Sequence, residues 1–319
     1  MSISKIDSDG IVSGGITADS LNIGQIGGRR NLIINGAYTI WQRATTSSSN
    51  GVNTADRWQQ NDATFTQETS IVPDNFQYSM KVVANGSGTP LLLQKIERPQ
   101  VCGHVLNQDI TVSFYARSSN VNAITKLELN DEGGSGGRPD GGAQTLSAAD
   151  TWERITHTFT APFSSLTGNS VAVILTFATS ATVYISGFQV EVGSVATPFE
   201  YRSYGEELAL CERYYQSWGG ANAYEYLPLF GGAVSGTRIE GVMQYKRDMR
   251  TSPTISYSGN WQWLDGVTTF TFGNILKDSI ALNSVRISDN GISGLTQYRF
   301  YLARANNDST ARFKMDAEL

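Results

Sequence analysis

The stretch Ile185–Ser217, ISGFQVEVGSVATPFEYRSYGEELALCERYYQS, contains the change of structure that organises the whole chain. Its first residues are rich in aliphatic, aromatic and β-branched side chains, which favours a strand. The proline in Ala196–Phe199 predicts a turn, because proline fixes φ and lacks an amide donor. Ser203 then stands three residues before Glu206, which is the spacing of a helix capping box. The stretch therefore closes one β-rich domain and begins a short helix.

The residues before this stretch predict a domain of short antiparallel strands at 31–203. Within Ile110–Ala116, apolar side chains alternate with polar ones, as in a strand with one covered face. Turn residues recur about every ten to fifteen positions, which is typical of an antiparallel sandwich or jelly roll. The predicted strands are Leu32–Ile40, Tyr78–Val83, Ile110–Ala116, Ile124–Leu129, Trp152–Phe159, Val171–Phe177 and Thr182–Val192.

The end of this stretch predicts a helical connector at 204–220, ended by Gly219-Gly220. The residues that follow predict a second antiparallel β-sandwich at 221–319. The predicted strands of the second domain are Gly236–Tyr245, Thr254–Tyr257, Trp261–Leu264, Val267–Phe272, Ile280–Ile287, Gln297–Arg304 and Phe313–Leu319. We therefore predict an all-β chain in which a jelly-roll domain precedes a β-sandwich.

Residues 1–30 form a separate N-terminal arm with dispersed large aliphatic side chains. Those side chains are Ile3, Ile6, Ile11, Ile16, Leu21, Ile23 and Ile26. Their spacing matches neither a helical stripe nor a strand, and they are too few to form a core within one chain. We expect this arm to pack on other chains, as an attachment or oligomerisation segment.

The composition limits the classes of partner. Hydrophobic residues make up 40% of the chain and charged residues 17%, so the chain can bury cores. The net charge of −5 and the absence of a basic stripe argue against nucleic acid. No apolar run is long enough for membrane insertion, and no signal peptide is evident, so we expect synthesis in a cytoplasm. Cys102 and Cys211 are expected to be buried thiols, with a disulfide as the alternative.

An ordered set of motifs resembles phage tail fibres and tail appendages with a carbohydrate-binding-module-like domain. The motifs are Asn31–Gly36, Trp41–Arg43, Ala55–Trp58, Trp152–Arg154, Gln189–Glu200, Glu207–Tyr215, Met249–Thr254 and Asp316–Leu319. The resemblance covers most of residues 31–319. It implies a virion tail protein, commonly a homotrimer, that contacts other tail proteins and host-surface polysaccharide during adsorption. The motif residues themselves are expected to be scaffold.

Two alternatives to receptor binding stay open. The first is a purely structural virion component, such as a head decoration or tail connector. The second is a glycan-cleaving depolymerase, which needs only two carboxylates. No catalytic motif is present, and His104 and His157, the only histidines, are expected to be structural. We therefore predict no enzymatic activity and no cofactor other than a structural calcium.

Two groups of residues could bind a ligand. Asp131, Glu132 and Asp140 lie in one glycine-rich loop and offer oxygen ligands for calcium, with a solvated acidic turn as the alternative. Aromatic rings of the second domain could stack on sugar rings, because sugars present apolar C–H faces. These rings belong to Tyr224, Tyr226, Tyr257, Trp261 and Trp263. Trp261 and Trp263 share a strand face, so both are exposed or both are core.

Overall fold

The computed structural model describes residues 30–98 and 104–319. Strands account for 44% of the described residues and helix for 4%, which confirms the all-β class. The described residues divide into two compact units: unit 1 ends at Glu207 and includes Leu319, and unit 2 is Leu208–Glu318. The predicted N-terminal arm, apart from Arg30, lies outside the described residues, as does Cys102. Within the described part, no helix is long and apolar enough to cross a bilayer.

Unit 1 is a sandwich of two antiparallel sheets of the jelly-roll class. Its strands are β1 Thr46–Ser47, β2 Val52–Asn53, β3 Gln59–Asn61, β4 Ala63–Glu68, β5 Ser79–Ala84, β6 Leu91–Glu97, β7 Ile110–Ser118, β8 Ile124–Asp131, β9 Glu153–Phe159, β10 Ser170–Phe177 and β11 Thr182–Val192. One sheet has the order β1-β4-β5-β11-β7-β9 and the other β2-β3-β6-β10-β8. The predicted sandwich is confirmed.

The core of unit 1 lies between its two sheets. Phe114 on β7 stacks on Phe188 on β11, with ring centroids 5.1 Å apart. Leu129 on β8 and Val173 on β10 belong to the same buried cluster. Burial of such side chains contributes roughly 1.5–3 kcal/mol each relative to exposure, and this burial is the main stabilising term.

The strand predicted at Leu32–Ile40 is wrong, because this segment forms turns. Asn35 and Tyr38 have positive φ angles of 59° and 53°, which no strand accommodates. The Asn35 amide instead holds the segment closed. Its Nδ2 donates to the carbonyls of Ile40 and Asp56, and its Oδ1 accepts from the amide of Ile40.

The helix α1 spans Tyr204–Glu212, and the boundary between the two units falls within it. The predicted N-cap is confirmed, since the Ser203 hydroxyl accepts from the amide of Glu206 at 3.3 Å. The helix ends before Gly219-Gly220, contrary to the sequence-based expectation. Tyr215–Trp218 forms strand β12 instead, because these residues pair with a strand near the C-terminus.

Unit 2 is a second antiparallel assembly of one large and one small sheet. Its further strands are β13 Tyr226–Ser235, β14 Arg238–Gln244, β15 Thr254–Ser258, β16 Trp261–Leu264, β17 Thr269–Thr271, β18 Ile275–Asp278, β19 Ser284–Asp289, β20 Phe300–Ala305 and β21 Arg312–Asp316. The large sheet has the order β17-β16-β20-β13-β14-β19-β18, and the small sheet β12-β21-β15.

The strand predicted at Ile280–Ile287 is wrong at its start. Strand β18 ends at Asp278, Ser279 has a φ of 48°, and β19 begins at Ser284. The positive φ ends the extended conformation and starts the connection between the two strands. The core of unit 2 collects side chains from both sheets, including Met243, Trp263 and Phe313.

Candidate functional site

The seven-stranded sheet of unit 2 carries apolar side chains on both faces. On β13, Leu227 and Leu229 are buried in the core, whereas Tyr226 and Phe230 alternate with them and are 50% and 67% exposed. A sheet face that is not covered normally carries polar side chains. An exposed apolar face of this kind is therefore typical of a binding surface.

The neighbouring strand β20 adds to the same surface. Tyr301 is buried in the core, whereas Phe300 is 77% exposed on the opposite face. Phe300 pairs with Gly232 across the strands, and its ring edge lies 3.9 Å from the position of a β-carbon on that glycine. Because Gly232 has no side chain, no side chain from that position covers the Phe300 ring.

Arg304 lies on this exposed face between two tyrosine rings. Its guanidinium carbon is 4.9 Å from the ring centroid of Tyr224 and 5.8 Å from that of Tyr226. The two rings are each about half exposed. Arginine binds favourably to the faces of aromatic rings. We call Tyr224, Tyr226, Phe230, Phe300 and Arg304 the outer aromatic face.

Two of the five predicted glycan-binding residues, Tyr224 and Tyr226, belong to the outer aromatic face. Tyr257 does not, because it lies on β15 in the small sheet. Its ring stacks on buried Phe313 with centroids 6.0 Å apart, and the ammonium group of Lys277 lies 5.7 Å from its centroid. Tyr257 is 36% exposed, so its ring is largely packed against the protein.

The glycan-binding role predicted for Trp261 and Trp263 is wrong, because both rings lie in the core. The indole N–H of Trp263 donates to Asp289 Oδ2 at 3.0 Å, and that of Trp261 donates to the Ser258 carbonyl at 2.9 Å. Both polar atoms are thus satisfied inside the fold. Core placement, the alternative given by their shared strand face, is the observed one.

Sequence reasoning missed Phe230, Phe300 and Arg304. A signal was available, because FYLARA, residues 300–305, places Phe300 and Arg304 on the strand face opposite Tyr301. A strand with bulky apolar side chains on both faces is buried on both sides or exposes a binding surface. The sequence alone does not distinguish these two cases.

The calcium site predicted at Asp131, Glu132 and Asp140 is not formed. Asp131 is buried, and its carboxylate accepts from the amides of Gly136, Thr167 and Gly168 at 2.8, 3.1 and 2.9 Å. These oxygens face N–H donors, which repel a cation. Glu132 pairs with Lys95, and Asp140 lies near Lys126. Among the described residues, no group of three or more metal-ligating side chains is placed to hold an ion.

The two histidines lie in ordinary environments. His104 is exposed. His157 packs edge-on against Phe159, with ring centroids 4.6 Å apart, and partial burial lowers its pKa below the usual value. Neither position suggests a nucleophile or a metal ligand.

The motifs of the first domain form a network of hydrogen bonds at one end of the sandwich. Asn31 Oδ1 accepts from the amides of Ile33 and Val190, and Asn31 Nδ2 donates to the carbonyl of Phe188. Gln189 Oε1 accepts from the amide of Glu200, whose carboxylate in turn accepts from the amide of Asn31. These contacts tie the start of the domain to its closing turn, as expected of scaffold residues.

The tryptophan and charged residues of the Ala55–Trp58 motif are also structural. Trp58 is buried, and its indole N–H donates to the Asn35 carbonyl at 2.9 Å. Asp56 accepts from the amide of Gln42 at 3.0 Å, and Arg57 donates to the Lys95 carbonyl at 2.6 Å. All three side chains therefore hold turns and offer no surface to a ligand.

No family model matches this chain, and no curated protein matches it. Several solved structures are similar. The CBM22-1 xylan-binding domain of Paenibacillus barcinonensis Xyn10C is 11% identical, with a TM-score of 0.36, over 53% of this chain and 100% of that one. A cyclase from Fischerella sp. TAU is 12% identical, with a TM-score of 0.37, over 51% of this chain and 96% of that one.

A phage protein is also among the similar structures. The enzymatically active domain of bacteriophage CBA120 tailspike protein 4 is 15% identical, with a TM-score of 0.32, over 46% of this chain and 21% of that one. All of these identities and TM-scores are low, and the proteins differ in activity. None of the similarities therefore assigns a ligand to this chain.

Proposed function

We propose that this chain is a non-catalytic glycan-binding protein of a phage tail. The outer aromatic face of unit 2 would contact polysaccharide on the host surface. The observation that carries the proposal is the exposure of Tyr226, Phe230 and Phe300 on one sheet face, beside the guanidinium of Arg304. Aromatic rings pack on the C–H faces of sugars, and a guanidinium donates hydrogen bonds to their oxygens.

The phage-tail part of the proposal is supported by the ordered motifs of residues 31–319 and their resemblance to tail appendages. A tail protein of this kind acts as a homotrimer, docked to other tail proteins through the arm at residues 1–30. Several shallow sites on one particle give firm attachment, because linked sites bind with a high effective concentration. Electron microscopy of virions with this protein labelled would locate it. Label on the head would contradict the tail assignment.

Binding of the full-length chain to an array of bacterial surface polysaccharides tests the glycan-binding part. We expect Phe230→Ala and Phe300→Ala each to weaken binding several-fold, since a stacked aromatic contact contributes about 0.5–1.5 kcal/mol. Neither side chain is part of the core, so both variants should fold normally.

The matched control is Tyr204→Ala, because Tyr204 is a 65% exposed aromatic residue on α1, in unit 1. It should bind as the unmodified chain does. An unmodified chain that binds no polysaccharide on the array, or aromatic-face variants that bind as tightly as the control, would refute glycan binding by this face.

A further inference from the structure

Arg304 differs from the other arginines of the same sheet face, because it has no acidic partner among the described residues. Arg286 pairs with Asp278 at 2.6 Å, and Arg238 pairs with Glu240 at 2.5 Å. Within the described part of the chain, Arg304 contacts two tyrosines and one glutamine and no carboxylate. Its positive charge is therefore uncompensated at a partly exposed position.

The hydrogen bonds of Arg304 leave one side of its guanidinium available. With the Gln262 amide oxygen turned toward it, Nε and Nη2 donate to that oxygen at 2.8 and 3.0 Å. Nη1 donates to the hydroxyl of Tyr226 at 3.4 Å. A guanidinium has five N–H groups, so one remains on each terminal nitrogen. Two N–H groups of one guanidinium can donate to the two oxygens of a carboxylate or phosphate.

Gln262 fixes the orientation of this group. It is buried, and its amide nitrogen donates to Asn306 Oδ1 at 3.1 Å in the orientation that satisfies both ends of the amide. The rings of Tyr224 and Tyr226 also contact the guanidinium, with ring centroids 4.9 and 5.8 Å from its carbon. A charged group that is held in place loses little entropy when a ligand binds.

Two carboxylates close in sequence to residues of this face, Glu225 and Asp308, accept hydrogen bonds from backbone amides. Glu225 accepts from the amides of Gly219, Ala221 and Asn222. Asp308 accepts from the amides of Asn260 and Thr310, and its hydrogen bonds to Thr310 and Asn260 lower its pKa. Neither forms an ion pair with Arg304, so an incoming anion would not have to displace one.

From this geometry we propose that the outer aromatic face selects an anionic glycan, with Arg304 binding the carboxylate or phosphate of one sugar residue. This inference rests on the proposed glycan-binding function. The tyrosine rings would flank the charged sugar. Phe300 lies four residues away on the same face of β20, about 13 Å along the strand, and would pack against another sugar of the same polymer.

An array of paired glycans tests the inference in the full-length chain. Each uronate- or sialate-containing oligosaccharide is printed beside its methyl ester, and each sugar phosphate polymer beside its dephosphorylated form. We expect the acidic member of at least one pair to bind about 10-fold more tightly, because hydrogen bonds to a charged group contribute about 1.5–3 kcal/mol. The identity of that pair shows whether the anion is carboxylate or phosphate.

Substitutions of Arg304 test whether this residue causes the preference for acidic glycans. Arg304→Gln should reduce the ratio of acidic to neutral binding to about one, because glutamine lacks the charge that favours the acidic member of each pair. Arg304→Lys should give an intermediate ratio, because lysine keeps the charge and loses the two parallel donors. Arg286→Gln is the control, since Arg286 is an exposed arginine of the same sheet with an acidic partner, and it should keep the full ratio.

The outcomes separate the two proposals. Equal binding of both members of every pair by the unmodified chain overturns the anionic preference and leaves glycan binding intact. A preference that persists in folded Arg304→Gln refutes the role of Arg304. An unmodified chain that binds no glycan refutes both proposals.

Discussion

At the scale of single residues, the carboxylate of Asp131 organises the glycine-rich loop of unit 1. The sequence suggested that this acidic side chain would be solvated or would bind a cation. It is instead buried, and three backbone amides from two loop segments donate to it. Backbone amides that close a loop need acceptors, and a carboxylate can satisfy several of them.

This arrangement predicts a large effect of Asp131→Asn on the stability of unit 1. The variant replaces one oxygen by an NH₂ group that faces amide donors, so at least one hydrogen bond is lost and a donor is left unpaired. We expect the free energy of unfolding to fall by about 2–4 kcal/mol in urea denaturation followed by tryptophan fluorescence.

Asp140→Asn is the matched control, because it makes the same chemical change in the same loop at a 56% exposed side chain. It should change stability by less than about 0.5 kcal/mol. Equal effects of the two substitutions, or a stability of the unmodified chain that falls on addition of a calcium chelator, would contradict the structural role of Asp131.

The sequence also did not determine whether Trp261 and Trp263 belong to the site or to the core. Alternation placed Trp261 and Trp263 on one face of a strand, and that placement is correct. It did not say which face of the sheet meets the core, because the neighbouring strands β13 and β20 carry large apolar side chains on both faces. Which face is buried depends on packing between strands that are distant in sequence. The tyrosines next to Arg304 were predicted, and Arg304 itself was not.

At the scale of elements, regular strands were predicted well and irregular segments poorly. Strands β7 and β11 follow clear apolar patterns and were predicted nearly at their observed bounds. Strand β6 (LLLQKIE) was not predicted, although Gly86–Pro90 directly precede it and Pro99 follows shortly after it. The segment 32–40 has the apolar content of a strand, but side-chain hydrogen bonds of Asn31 and Asn35 hold it in turns. Such polar cross-links override local propensity.

The segment 31–36 predicts a marked effect of Gly36→Ala. A β-carbon at Gly36 would collide with the backbone carbonyl oxygen of Phe188, which accepts a hydrogen bond from Asn31 Nδ2. The Phe188 carbonyl cannot move aside without disrupting this hydrogen bond. We expect a loss of stability of about 1–3 kcal/mol, measured as a lower midpoint of thermal unfolding.

Gly205→Ala is the control for this substitution. Gly205 lies in the first turn of α1, and apart from its chain neighbours and the backbone of the helix no atom lies within 4 Å of the position of its β-carbon. Alanine in a helix is more favourable than glycine by up to about 1 kcal/mol, so this variant should be neutral or slightly more stable. A Gly36→Ala protein as stable as Gly205→Ala would contradict the claim that the close approach of Gly36 to Phe188 stabilises the segment.

At the scale of the whole molecule, the proposed function depends on how many copies act together. An exposed aromatic face with one unpaired arginine forms a shallow site, and we expect a single copy to bind a glycan weakly. Attachment to a surface covered with repeating polysaccharide becomes firm when several copies are linked. The arm at residues 1–30 supplies the linkage in our proposal.

We therefore expect the full-length chain to sediment as a trimer and a chain that lacks residues 1–30 to sediment as a monomer with unchanged circular dichroism. The arm carries large aliphatic side chains that are too few to cover one another, and we expect other copies of the chain to bury them in the isolated protein. The monomer should also dissociate faster from immobilised polysaccharide by about 10²-fold or more, because avidity is lost.

Point substitutions test the same idea without truncation. Ile11→Asp with Ile16→Asp should give monomers in sedimentation velocity at micromolar concentration, because a charge cannot be buried unpaired between copies. Ser13→Asp adds a charge at a polar position of the same arm and should leave the trimer intact. An unmodified chain that is a stable monomer at this concentration would contradict assembly through the arm. It would leave glycan recognition by the outer aromatic face to act through a single weak site, which the dissociation rate from the polysaccharide surface would report directly.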